Sequence, residues 1–172
     1  MTRDGMPGRF SGNRLIERLV EVLKEGGWST ETEVSIRGRL AVDRSLVLAR
    51  KGGRSYGIQV KHSPDARSAM LTSLAAAGLL QARKYASLLG ATPMVVVGAP
   101  RLSPGMVKEL AGFMDEFGEG AAWGVVDDRG LVALHGPGVD ELQRSPEYEA
   151  RGRRRRDSLT DSPRATADPF TD

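Results

Sequence analysis

The feature that most constrains the fold is a long helix-forming segment followed at once by a short, wholly apolar strand. Residues 66–89 are rich in Ala and Leu and are followed by Gly90, a residue type that often ends helices. PMVVVGA at 93–99 has the composition of a strand buried on both faces. A helix that leads into such a strand predicts an α/β domain in which helices cover a central sheet.

One helix and three strands are predicted before this unit. Apolar residues recur at helical spacing from Gly12 until Gly26 and Gly27 interrupt them. Residues 28–36 and 40–49 are predicted as the first two strands. KGGR at 51–54 has the turn chemistry of a hairpin into a third strand.

A third helix and two short strands are predicted to complete the domain. Ser103 is a plausible N-cap, and Pro104 suits the first helical position. Residues 122–126 and 131–135 are predicted as strands joined by a tight turn at 127–130. The predicted order of elements is therefore α, βββ, α, β, α, ββ.

The 172 residues, 40% of them hydrophobic, suffice for one domain with a substantial core. We place this domain at residues 12–140. Residues 1–11 are polar and rich in Gly, and we expect a flexible N-terminus. Residues 141–172 form a basic and polar tail that cannot bury enough surface to offset its ordering entropy, so we expect it to be disordered.

The composition excludes several classes of protein. The chain has no cysteine, which rules out disulfides and thiolate metal sites and suits a reducing cytoplasm. The opening residues lack the apolar core of a signal peptide, and the longest nearly apolar run, residues 69–80, is too short to span a bilayer. We therefore expect a soluble cytoplasmic protein without a membrane partner.

The net charge is +3, of which residues 150–172 contribute +2 through six Arg and four Asp. Residues 1–149 are nearly neutral, so this part of the chain does not bind nucleic acid mainly through a large net positive charge. The basic run in the tail is either a solvated segment or a sequence-independent tether to phosphates. Its arginines are Arg151, Arg153, Arg154, Arg155 and Arg156.

The stretch SYGIQVKHS at 55–63 carries the chemistry that the fold must explain. Alternation predicts that Tyr56, Ile58 and Val60 enter the core. Gln59 and Lys61 then share the opposite face of the strand.

Two acidic residues could join this face. Asp43, on the predicted second strand, could stand opposite Gln59 and Lys61 across the hairpin. Glu17 lies within the apolar run of the first helix and could point to the same corner. Carboxylates, an amide oxygen and a lysine suit metal-assisted phosphodiester hydrolysis, because Mg²⁺ prefers oxygen ligands and an ammonium offsets charge in the transition state.

Helix, three-strand meander, Asp on the second strand, Gln-x-Lys on the third, long helix and strand together resemble the PD-(D/E)xK nuclease superfamily. The resemblance covers about residues 12–100, and IERLVEVLKEGGW with the Gln-x-Lys pattern is similar to its Mrr-type branch. It implies a restriction-endonuclease-like αβββαβ core with a mixed central sheet and flanking helices. The C-terminal helix and β-hairpin would be additions to that core.

The resemblance also implies roles, a cofactor and partners. Lys61, Asp43, Gln59 and Glu17 would be catalytic, and the last three would bind Mg²⁺ or Mn²⁺ together with the Val60 carbonyl. The substrate would be DNA, and a homodimer is expected by analogy with other small nucleases of this fold.

Three further residues could support the site or contact DNA. Gln81 and Tyr85 in QARKY have the Gln-xxx-Tyr spacing of RecB-type members, and they share a helix face. His62 follows Lys61 directly and could touch a phosphate, although a structural role is the simpler interpretation.

Gln59 replaces the usual acid, which removes one negative charge and should weaken metal binding. Two alternatives to the enzyme therefore stay open. The first is a catalytically inactive module that binds nucleic acid or a protein partner through the same face. The second is an interaction protein with no nucleic-acid role, in which Asp43 and Glu17 are ordinary surface residues. The intact Lys61 favours the enzyme.

Overall fold

The computed structural model describes residues 12–32, 34–36, 39–40, 45–64, 67–129 and 132–136. The predictions for Asp43, for the N-terminal residues 1–11 and for the tail 141–172, including its arginines, lie outside the described residues.

The described residues form three helices and eight strands in an α/β arrangement. The helices are α1 (Gly12–Glu25), α2 (Ser68–Leu89) and α3 (Pro104–Phe117). The strands are β1 (Ser29–Glu31), β2 (Ser35–Ile36), β3 (Arg39–Leu40), β4 (Leu46–Lys51), β5 (Arg54–His62), β6 (Thr92–Ala99), β7 (Ala122–Asp127) and β8 (Val132–His135). Within the described residues, no helix is both long and apolar enough to cross a membrane.

Six of the strands form one mixed sheet in the order β1-β4-β5-β6-β7-β8. The antiparallel strands β4 and β5 are joined by a turn at Gly52 and Gly53, whose φ angles of 55° and 78° are readily adopted by glycine. Strands β5, β6 and β7 run parallel, while β1 and β8 are antiparallel to their neighbours at the two edges. The predicted α/β class with a mixed sheet is thus confirmed.

Helix α1 covers one face of the sheet. Its apolar stripe, Leu15, Leu19, Val22 and Leu23, is buried in a cluster with the side chains at alternate positions of β4 to β8. These positions include Ile58 and Val60 of β5, as the alternation predicted. The polar residues of α1 remain on its exposed side.

Helices α2 and α3 cover the other face. Leu71, Ala75 and Leu79 of α2 and Leu110 and Met114 of α3 pack in a second apolar cluster on β6 and β7. Because both faces are covered, the central strands read as continuous apolar runs, such as Met94 to Ala99 in β6.

Two of the predicted helix boundaries are confirmed by their caps. Gly90 has a φ of 63° and ends α2, and the next N–H, that of Ala91, donates to the Ala86 carbonyl at 2.9 Å. The hydroxyl of Ser103 accepts a hydrogen bond from Met106 N at 3.2 Å, with Pro104 in the first turn of α3.

The prediction of the first two strands was wrong in extent. The expected strand at 28–36 is divided into β1 and β2, and the expected strand at 40–49 is divided into β3 and β4. β2 and β3 pair with each other in a separate two-stranded sheet. The sequence from Ser29 to Glu33 is polar, so only a three-residue edge strand joins the main sheet, whereas Leu46 to Ala49 is buried on both sides.

Candidate active site

Gln59 and Lys61 lie on the face of β5 that α2 covers. In a strand, residues two apart share a face, and Ile58 and Val60 belong to the opposite cluster beneath α1. A Cβ built on Gly78 of α2 would lie 2.9 Å from Cγ of Lys61. The aliphatic part of the lysine therefore runs beneath the helix.

Helix α2 and strand β5 run antiparallel and approach each other closely at a second point. A Cβ built on Gly57 would lie 3.3 Å from Cα of Ala86. Four residues of α2 rise by about 6 Å and two residues of β5 by about 6.7 Å. Every fourth residue of the helix therefore faces every second residue of the strand. Ala82, midway between Gly78 and Ala86, thus lies above Gln59, midway between Gly57 and Lys61.

Gln59 is completely buried. Its exposed fraction is 0%, and its register neighbours are Leu46 on β4 and Val95 on β6. Burying an amide costs free energy unless its hydrogen bonds are satisfied. The amide of Gln59 therefore needs polar partners at this buried position.

Lys61 is half-buried and stands one residue before the end of β5. It pairs in register with Val97 of the parallel strand β6. Its position combines a buried stem with the carboxyl edge of the parallel strands, where open α/β sheets commonly bind ligands.

The Val60 backbone links β5 to the segment that follows Asp43. The Val60 N–H donates a hydrogen bond to the Ser45 carbonyl at 2.9 Å, and Ser45 is the residue immediately before β4. The Val60 side chain is buried beneath α1. Asp43 stands two positions before Ser45 in the sequence and is outside the described residues.

The structure does not bring Glu17 together with Gln59 and Lys61. Glu17 is exposed on α1, which packs on the opposite face of the sheet. His62 also belongs to the α1 side, because its ring lies directly against Gly12 at the start of that helix.

Tyr85 and Gln81 lie on the flank of α2 that faces β4. Tyr85 packs against a cluster of Val34, Leu46 and Leu48. Gln81 is one turn earlier on the same helix face. Its side-chain oxygen is buried and has no hydrogen-bond partner among the described residues. Leu46 is the register neighbour of Gln59 on β4, so Tyr85 packs against a residue beside Gln59.

Sequence reasoning missed an ion-paired clamp at the carboxyl edge. Asp127 at the end of β7 is 0% exposed, and its carboxylate accepts from Arg129 N at 2.9 Å and from Arg129 Nη2 at 3.2 Å. Arg129 Nη2 also donates to the Leu102 carbonyl at 3.1 Å, and Leu102 N donates to Asp127 Oδ2 at 3.4 Å. The sequence predicts only a tight turn at 127–130, whereas Asp127 and Arg129 fasten the loop after β6 to the end of β7.

The same edge carries further cationic side chains. Arg14 of α1 pairs with Asp128 at 3.1 Å, and its side chain remains 52% exposed. Arg101 follows β6 and Arg67 precedes α2, and both are exposed. Exposed arginines at a sheet edge suit contact with phosphates.

The described residues do not by themselves complete a metal site. No three His, Cys, Asp or Glu side chains come close enough there to hold a metal ion. Gln59 offers an amide oxygen, which is a suitable donor for Mg²⁺, but hard divalent cations are usually held by at least one carboxylate. The carboxylate predicted for this position from the sequence, that of Asp43, lies outside the described residues.

Comparison with known proteins does not assign the chain to a family. No protein-family model matches the chain, and no match was found among curated proteins or solved structures.

Proposed function

We propose that the protein is a Mg²⁺-dependent nuclease that hydrolyses phosphodiester bonds in DNA, with a restriction-endonuclease-like core. The observation that carries the proposal is the pair Gln59 and Lys61. Both side chains share one face of β5 beneath α2, and Lys61 is at the carboxyl edge of the strand.

The strand arrangement supports the assignment of the core. Strands β1, β4 and β5 are consecutive antiparallel neighbours, and β6 returns parallel to β5 after the 22-residue helix α2. This is the order and direction expected of an αβββαβ core, to which α3, β7 and β8 are added.

In the proposed site, Asp43, Gln59 and the Val60 carbonyl would hold the metal. When bound, the metal supplies Lewis-acid polarisation of the phosphodiester. The ammonium of Lys61 orients the attacking water and offsets the negative charge that develops on the phosphate. Glu17 is left out of this set because its helix covers the other face of the sheet.

Two features of α2 support the same site. The helix excludes water from Gln59, which strengthens electrostatic interactions at the end of β5. The unpaired oxygen of Gln81 lies on the adjoining flank and can accept a hydrogen bond from a ligand or water.

A second candidate function is a binding module that has this fold without turnover. The specific observation in its favour is that Gln59 is neutral and fully buried, with no carboxylate beside it among its register neighbours Leu46 and Val95. Such a module would bind DNA at the same edge through its exposed arginines and Lys61.

Cleavage of plasmid, single-stranded and branched DNA separates the two candidates. The enzyme should cut at least one substrate with Mg²⁺ or Mn²⁺ and none with EDTA. Lys61→Met keeps an unbranched stem beneath Gly78 while removing the ammonium, and should lower the cleavage rate by about 10²–10³-fold. Lys108→Ala removes the same charge from an exposed position on α3 and should leave cleavage unchanged. Binding without cleavage under every metal condition would support the binding module.

A further inference from the structure

A cavity of about 330 Å³ opens at the amino edge of the parallel strands, where β6 and β7 begin. This volume is at the lower end of the range for small-molecule sites. The lining residues come from α2, from the start of β6 and from the turn that leads into β7. They include Arg83, Pro93, Glu119, Gly120, Ala121 and Ala122.

This cavity is separate from the proposed active site. Thr92, which also lines it, is the first residue of β6, whereas Val97 of the same strand is the register neighbour of Lys61. The distance along the strand from Thr92 to Val97 is about 16 Å. A small ligand in the cavity would therefore not contact Lys61.

The wall of the cavity is mostly apolar and carries few charges. Proline and alanine side chains form much of it, and a Cβ built on Gly120 would meet no atom within 4 Å. Among the described residues that line the cavity, only Arg83 and Glu119 are charged. A largely apolar pocket with a small number of polar groups is typical of small-molecule sites.

Arg83 uses few of its hydrogen-bond donors. Its Nη2 donates to the Gly118 carbonyl and to Glu119 Oε2, both at 3.4 Å, which is longer than the usual N–H···O distance of about 2.9 Å. Within the described residues, its Nε and Nη1 make no hydrogen bond. A guanidinium has five N–H donors in a planar fork that matches a carboxylate. Arg83 therefore has donors available for a ligand.

Glu119 has an unusual backbone conformation. Its φ is 52°, a left-handed value that residues other than glycine rarely adopt, and no other non-glycine among the described residues has a positive φ. Residues kept in such conformations are concentrated at functional sites. Here the Glu119 carboxylate lies against the guanidinium of Arg83 at the cavity.

We infer that the cavity binds a small molecule that carries one carboxylate, with Arg83 as its anchor and Glu119 as an internal competitor. The ion pair with Glu119 shows that a carboxylate can reach the guanidinium. The side chain of Glu119 is 80% exposed, so a ligand can displace it readily. The uncharged part of the ligand would lie against Pro93, Ala121 and Ala122. This inference does not depend on the proposed nuclease activity.

The charge of the cavity favours a monoanion over a phosphate. Arg83 contributes one positive charge, and Glu119 contributes one negative charge beside it. A ligand carboxylate that takes the place of the Glu119 carboxylate keeps the charge at Arg83 balanced. A phosphate dianion would leave an excess of negative charge close to Glu119. Inorganic phosphate should therefore bind more weakly than a monocarboxylate.

Titration of the full chain with butyrate, followed by two-dimensional ¹H–¹⁵N NMR, tests the site. Butyrate should shift the amide signals of Gly120, Ala121 and Ala122 with a dissociation constant on the order of a few millimolar, as expected for so small a ligand. Butyramide, which has a similar size without the charge, should not shift them. No shift of these signals at about 50 mM butyrate, equal shifts with butyramide, or tighter binding of inorganic phosphate than of butyrate would overturn the proposal.

Three variants distinguish a ligand site from an ordinary surface ion pair. Arg83→Gln should weaken butyrate binding by about tenfold or more, because the positive charge is lost. Lys84→Gln removes the same charge from the next, exposed position of α2 and should bind as the wild type does. Glu119→Gln removes the competing carboxylate and should tighten binding by about two- to fivefold. Unchanged binding by Arg83→Gln, or binding by Glu119→Gln that is no tighter than that of the wild type, would contradict the proposal.

Discussion

Gly78 of α2 lies directly over Lys61 of β5, so close that a methyl group at position 78 would stand 2.9 Å from Cγ of the lysine. The same methyl group would be 2.6 Å from Cγ2 of Val95, which is buried in the sheet. Because Gly78 has no side chain, α2 can pack closely against β5 at this position. It also lets the lysine stem pass between helix and sheet toward the carboxyl edge.

Replacing Gly78 with Ala should therefore destabilise the protein. The favourable helix propensity of Ala, about 1 kcal/mol, is outweighed by overpacking against Lys61 and Val95, and the net loss should be about 1–2 kcal/mol. Urea denaturation measures it.

Gly112→Ala on α3 is the matched control, because a Cβ there meets no atom within 4 Å. It should raise the free energy of unfolding by about 0.5–1 kcal/mol. Equal stabilisation by both substitutions would show that the close approach over Lys61 does not constrain the helix.

Gln59→Glu should make stability depend on metal. The position is fully buried, so a carboxylate without a cation should lower the melting temperature in EDTA. Mn²⁺ should restore it, since the added charge lies within the proposed metal site.

Calorimetric titration with Mn²⁺ should show tighter binding to Gln59→Glu than to the wild type. Gln59→Met, with similar volume and no charge or amide oxygen, should show neither tighter binding nor metal-dependent stability. Identical titrations of Gln59→Glu and Gln59→Met would exclude Gln59 from a metal site.

Asp127→Ala should cost more stability than Asp128→Ala. The first substitution leaves the buried N–H of Leu102 and the part-buried N–H of Arg129 without their acceptor, a loss of about 2–3 kcal/mol. The second breaks only the ion pair with the half-exposed Arg14, worth about 0–1 kcal/mol. Thermal unfolding of the two variants measures the difference, and equal melting temperatures would contradict the role given to Asp127.

Substitution of the arginines at 153–156 tests whether the tail binds nucleic acid. Replacing Arg153, Arg154, Arg155 and Arg156 with Ser should leave the melting temperature unchanged and lower DNA affinity mainly at low salt. If every arginine contacts a phosphate, the slope of log K against log salt should fall by about 3–4. An unchanged slope would show that these residues make no phosphate contacts.

The sequence predicted the helix ends and the turn that depend on neighbouring residues alone. Gly90 and Ser103 end and begin helices through hydrogen bonds that their residue types favour, and the glycines at 52 and 53 suit the hairpin turn. The alternation in β5 also separated Ile58 and Val60 from Gln59 and Lys61 correctly.

The prediction failed where tertiary packing decides. The alternation in β5 predicts Gln59 on the face opposite Ile58 and Val60, but it cannot show that this face is covered as well, and Gln59 is fully buried beneath α2. Glu17 looked available because it lies within an apolar run, but the sequence does not reveal which face of the sheet α1 covers. Asp127 is held by the Leu102 backbone, 25 residues earlier, and no local pattern signals that contact.

The most direct test of the proposed chemistry is to measure the cleavage rate and DNA affinity of Lys61→Met beside the wild type, with Mg²⁺ or Mn²⁺ present. If Lys61 acts in the transition state, the rate should fall by about 10²–10³-fold while the dissociation constant changes by less than about threefold. A variant that cleaves DNA as fast as the wild type would contradict the account, as would a wild type that never cleaves DNA with either metal.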